Sequence, residues 1–164
     1  MDNQQTSIVD QFTNALDEFD KVLARVPEEG LDWTEKEGEW SVRQVVHHVT
    51  EDLTVYGFIL EQALAIPDCK VVFGEFPGNE IWAKSLAFDL RPIANALSLM
   101  HAQRAYFAEL IALFPERWDN SLQFLDQSGK KLGDSTVKKM VIMLTDHMLE
   151  HVQMLENILK VHKV

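Results

Sequence analysis

Cysteine occurs once in these 164 residues, as Cys69, so no intramolecular disulfide is available and a disulfide-stapled fold is excluded. A reducing, cytoplasmic compartment is the natural one for such a chain. Positive charge is also short: 15 lysines and arginines stand against 26 acids, for a formal net charge of -11. With no basic run and no aromatic stacking motif, the phosphates of a nucleic acid would be repelled, and no nucleic-acid partner is expected. No apolar run approaches the ~20 residues of a membrane span, and none follows a charged N-terminal stretch as in a signal peptide. A membrane is therefore not an expected partner either. The acidic excess reads as solubility and solvated helix faces, and names no substrate.

What is present is regular apolar periodicity. The hydrophobic content of 46% over this length supports one domain, spanning residues 1–164, with a real core. Ile8, Phe12, Leu16, Phe19, Leu23 and Val26 recur at helical spacing, which predicts a first helix from about Ser7 to Val26, closed by Pro27. Val42, Val45, Val49, Leu53, Tyr56 and Leu60 predict a second, whose start is well marked: Ser41 and Gln44 fit a capping box, and Trp40 with Val45 fits a hydrophobic staple. After Ala65, Pro67, Gly74, Pro77 and Gly78 break the pattern, leaving a crossover with a short helical turn around Trp82 to Ala87.

A third helix starts with Pro92 in its first turn and carries Ile93, Leu97, Met100, Phe107, Ile111 and Phe114 before Pro115 stops it. The stretch from Glu116 to Asp134 predicts a small hairpin, and Asp134 or Ser135 is placed to cap a last helix. Four long amphipathic helices with one crossover of about 25 residues make an all-α four-helix bundle, in which that crossover lets helices two and three lie parallel.

Inside the last helix, His147 and His151 occupy a stripe made of Val137, Met140, Val141, Leu144, Met148, Val152 and Leu155. Four residues apart, both imidazoles project to one side, close enough to share one ion. The alternative is one hydrogen-bonded core histidine and one facing water. A third ligand decides between them, and His48 is placed to supply it, flanking the apolar face of the second helix. His47, one step of about 100° away, points nearly opposite and is expected to be solvated. His101 is a reserve candidate at the edge of the third helix, and His162 in the last turn suits a surface role.

Glu51 and Asp52, three and four residues beyond His48, are candidates for orienting a ligand or acting as a general base, with a solvated acidic turn as the other reading of Glu51. Arg104 falls near the centre of the third stripe, where it either pairs with a buried carboxylate or anchors an anionic substrate or cofactor. Cys69 carries no local sign of activation, and Trp33, Trp82 and Trp118 read as packing residues at helix ends.

The run Trp40-Ser41-Val42-Arg43-Gln44-Val45-Val46-His47-His48 and the run Asp146-His147-Met148-Leu149-Glu150-His151, with the stretch from Trp82 to Pro92 and Arg104 between them, resemble the DinB-like superfamily of four-helix-bundle metalloproteins that includes the YfiT proteins. The resemblance spans most of the chain. It implies an up-down-down-up bundle, a homodimer, and a divalent metal held by His48, His147 and His151, the ion being Zn, Ni, Mn or Fe. Three neutral ligands leave a coordination position open, the pattern of a catalytic site. Relatives of this kind imply a thiol transferase that uses a low-molecular-weight thiol, such as bacillithiol or mycothiol, against a small electrophilic substrate.

Two other readings stand beside it. His147-Met148-Leu149-Glu150-His151 also spells H-x-x-E-H, the motif of the inverted zinc peptidases, which implies a metal-dependent hydrolase with Glu150 as base, but a further acidic ligand is then needed from downstream, where only 13 residues remain. The second is a non-enzymatic, metal-stabilised dimeric module for ligand binding or stress response.

Overall fold

The computed structural model describes residues 1–72 and 79–164, with Asn79 described by its backbone alone. Among the described residues five α-helices order the chain: α1 (Asn3–Leu23), α2 (Val42–Ala65), the short α3 (Asn79–Ser85), α4 (Ala94–Leu113) and α5 (Val137–His162). Three strands, β1 (Cys69–Val72), β2 (Ser121–Leu125) and β3 (Lys131–Thr136), form a small sheet beside them. Gly74, Pro77 and Gly78, which mark the crossover in the sequence, lie outside the described residues.

Local chemistry sets the helix ends. Asp2 caps α1, accepting from the Gln5 amide at 2.8 Å while the Gln5 side chain returns to the Asp2 amide, so α1 starts before the expected Ser7. The capping box of Ser41 and Gln44 opens α2 as its sequence predicts. For α5 the cap is Thr136, which accepts from the Lys139 amide at 3.2 Å, and not Asp134 or Ser135. Those two residues stay extended because β3 runs to Thr136, with Ser135 opposite Leu122 and Asp134 opposite Gln123. Pro92 lies just outside α4 rather than in its first turn.

The four long helices form a ring in which α1 packs on α4 and α5, and α2 packs on the same two. Contacts fix their directions. Thr54 meets Gln103 and Glu61 meets Tyr106, so α2 and α4 run parallel. Lys138 meets Gln4 and Arg25 meets Glu156, so α1 and α5 do as well. Asp20 beside His101 and Phe12 beside Arg104 make α1 antiparallel to α4. The result is the up-down-down-up order.

The predicted hairpin is present as β2 and β3. The parallel pairing of β1 with β2, through Cys69 opposite Leu122, is not foreseen from sequence, because a four-residue strand has too little periodicity to read. Burial there pushes the Cys69 thiol pKa up, so it is not an activated nucleophile. Trp118 closes this end of the core, 2% exposed, donating its indole N–H to the Ile111 carbonyl at 2.9 Å.

One close approach is tight enough to test. A Cβ added at Gly57 in α2 would lie 2.3 Å from Cζ of Phe107 in α4. Alanine gains about 1 kcal/mol of helix propensity over glycine, whereas forcing a packed ring aside costs about 1 to 3 kcal/mol. Gly57→Ala is therefore expected to lower the denaturant midpoint. A midpoint at or above wild type would show that Phe107 yields freely.

Candidate metal centre

The antiparallel faces of α2 and α5 bring His48 to the pair His147 and His151, 99 or more residues further along the chain. The Nε2 of His147 lies 3.2 Å from that of His48 and 3.0 Å from that of His151. Their rings stand nearly edge to face, with centroids 4.5 to 5.1 Å apart. His48 and His151 are buried and His147 partly so.

This arrangement fits a metal ion and poorly fits three histidines alone. The central Nε2 of His147 presents either one N–H or one lone pair, so it makes one good hydrogen bond and cannot serve both close nitrogens well. A cation accepts all three. With metal–nitrogen bonds of about 2.0–2.1 Å, tetrahedral donors lie roughly 3.3 Å apart, close to the 3.2 and 3.0 Å separations about His147. Among the described residues, His48, His147 and His151 are the set whose donor atoms all fall within 4.8 Å of one another.

Electrostatics agree with neutral donors. Burial, and then the neighbouring His147, bring the His48 pKa down to about 4; burial, His147 and His48 bring that of His151 down to about 3. His147 is lowered as well, chiefly by burial. Three imidazoles thus stay unprotonated, the form a metal requires.

The other predicted residues separate clearly. Asp52 follows His48 by one turn, and its Oδ2 lies 3.5 Å from the His48 Nε2 and 3.6 Å from that of His147. Burial pushes its carboxyl up to about 7. Glu51 turns away from the histidines and meets Arg91 at 3.4 Å. Arg104 finds no carboxylate among the described residues: its Nη2 donates to the Leu144 carbonyl at 3.0 Å, its guanidinium lies 4.0 Å over the Phe12 ring, and its Nε and Nη1 have no partner. It is a core cation, its pKa lowered to about 9 by burial, and it tethers α5 one turn before His147.

His47 is corrected. It is 1% exposed rather than solvated, with its Nε2 3.1 Å from the Arg91 carbonyl and its ring against Phe88. A helical wheel sees only its own helix; the segment after α3 folds over the outer face of α2 and covers it. His101 forms a surface pair with Asp20 at 3.2 Å, and His162 stacks on Trp33.

Above the triad opens a cavity of about 570 Å³, with His48, His147, His151, Trp40 and several glutamates in its wall. Trp40 does more than staple the start of α2: its ring lies edge-on to that of His48, with centroids 4.6 Å apart. The eight-residue spacing is two helical turns plus an extended residue, a signal too loose to read without the fold.

Among solved structures, the chain is similar to YfiT from Bacillus subtilis, described as a probable metal-dependent hydrolase with an unusual four-helix bundle topology. The TM-score is 0.80 at 13% identity, covering 99% of this chain and 89% of that one. Comparison with curated proteins returned no match. The model of the DinB superfamily matches residues 11–155. That match takes in the whole of α2 and α4, most of α1 and α5, and all three converging histidines, and the chain belongs to the DinB superfamily.

Proposed function

We propose that this protein is a divalent-metal enzyme for a small-molecule substrate, holding its ion through His48, His147 and His151 and using Asp52 as the base beside it. The observation that carries the reading is the convergence of three neutral Nε2 atoms in the wall of a cavity. A divalent ion held there supplies Lewis acidity, which lowers the pKa of a small nucleophile near it.

Asp52 is the carboxylate within ion-pair range of the triad among the described residues. Burial raises its pKa and a cation beside it would draw that value back down, so in the loaded protein the carboxylate, the form that accepts a proton, is favoured. With a low-molecular-weight thiol as nucleophile, Asp52 takes the sulfhydryl proton, a bond forms between sulfur and the electrophilic carbon, and the leaving group departs with the carbon's old bonding pair. Hydrolysis is the second reading. The same carboxylate serves water equally well, and the similar fold of YfiT carries a probable hydrolase.

Protein loaded with zinc, nickel, manganese or iron is to be assayed with 1-chloro-2,4-dinitrobenzene plus a thiol, and with p-nitrophenyl acetate in water. Asp52→Asn is expected to keep its metal and lose about 100-fold in turnover, together with the limb of the pH profile that reports its carboxyl. Unchanged turnover would remove Asp52 from the mechanism. Loss of metal from Asp52→Asn would instead make it a fourth ligand, closing the site and leaving the ion a clamp between α2 and α5.

A further inference from the structure

The cavity over the histidines has a pronounced charge. Glu35 and Glu39 come from the connection between α1 and α2, Glu80 from α3 and Glu150 from α5, so three separate parts of the chain bring carboxylates to one opening. Among the described residues that line it, none is a lysine or arginine. Glu39 has a partner in Lys36, 3.7 Å away on the surface. Glu35, Glu80 and Glu150 enter no ion pair among the described residues. Lys84 lines an adjoining hollow that shares Glu39, Trp40 and Glu80 with this one, yet it forms no ion pair there.

These acids are not an isolated surface cluster. The wall they share includes His151, 8% exposed and with an Nδ1 that has no hydrogen-bond partner, together with His48, His147 and the indole of Trp40. Carboxylates around a concave opening with low-dielectric walls concentrate a negative potential, which raises the local concentration of cations and repels anions. An indole adds attraction for an organic cation.

We infer that the site selects a positively charged small molecule, with an ammonium or guanidinium group held among Glu35, Glu80 and Glu150 while its reactive end reaches the histidines, and that it disfavours anionic ligands. This rests on reading the triad as an open metal site, and it predicts that an anionic thiol is a poor co-substrate.

The test is binding rather than turnover. Three two-carbon thiols that differ in charge are titrated into cobalt-substituted protein and followed by the cobalt visible spectrum: thiocholine (cationic), 2-mercaptoethanol (neutral) and 2-mercaptoethanesulfonate (anionic). These thiols differ in acidity, so the readout is the ratio of their affinities in wild type relative to that in E35Q/E80Q/E150Q. At low salt that relative preference for thiocholine over the sulfonate is expected to reach about tenfold, and to shrink severalfold at high salt. The three glutamates are at least partly exposed, and the salt dependence of the wild type supplies a second readout that needs no variant. A ratio unchanged by both the substitutions and salt would overturn the charge selection while leaving the open site standing. A cobalt spectrum that no thiol perturbs would overturn the open-site reading, and this inference with it.

Discussion

His147→Ala is expected to abolish stoichiometric metal binding. Its Nε2 stands between those of His48 and His151, 3.2 and 3.0 Å away, so removing it deletes the central donor and leaves two nitrogens on different helices with nothing between them. Loss of an outer partner of a metal ligand already costs about 10–100-fold in affinity, and loss of a ligand itself should exceed the upper end of that range. His48→Ala and His151→Ala should behave alike. His101→Ala and His162→Ala should keep full metal content, because those side chains pair with Asp20 and stack on Trp33 away from the site. The measurement is elemental analysis after dialysis, paired with thermal unfolding. Metal at 100 times its Kd stabilises a folded protein by about 2.7 kcal/mol, so added ion should raise the wild-type Tm and leave the His147→Ala Tm unmoved. Full metal retention in His147→Ala would remove the centre altogether.

The second large effect is acid lability of the metal-free protein. The folded-state pKa values of His48 and His151 are depressed to about 4 and about 3, from an ordinary 6.5. Between those values the unfolded chain binds protons that the folded chain refuses. Stability from these two groups is therefore fully present above about pH 6.5 and is lost as pH falls towards 4. Asp52 acts the other way: its pKa is raised from 3.8 to about 7, so the folded chain binds the extra proton, and its contribution is lost as pH rises through 7.

Two histidines outweigh one carboxylate across the window from 6.5 to 4. One net proton corresponds to about 1.4 kcal/mol per pH unit, and the lowered pKa of His147 adds to the same side. Chemical denaturation at pH 7, 6 and 5 should show stability falling on acidification. Asp52→Asn should steepen the slope by removing the opposing group, whereas His48→Leu should flatten it. A flat profile for the metal-free wild type would mean that these imidazoles are not desolvated as the geometry requires.

Individual residues show why some of this was legible in the sequence. Ser41 and Gln44 cap α2 because both halves of a capping box lie within one turn, so neighbouring residues alone dictate the contact. The apolar stripes foretold four helices for the same local reason. His48 could be separated from His47 because 100° per residue is a property of the helix itself. His47 then proved buried, since what covers α2 on its outer side comes from the far end of the crossover. Asp134 and Ser135 looked like caps but are held extended by strand pairing, which moved the cap to Thr136.

The sequence by itself determined the elements: four amphipathic helices, their main breaks, and two histidines one turn apart with a third on another helix, all set by interactions within about four residues. Only the tertiary structure decided what those elements meet. It turned Asp52 to the triad and Glu51 to Arg91, and laid Arg104 over Phe12 and against the Leu144 carbonyl. It also gathered Glu35, Glu80 and Glu150 around one opening. The physical reason is that charge and lone pairs act through space at a few ångströms, whereas periodicity records only which way a side chain leaves its own helix.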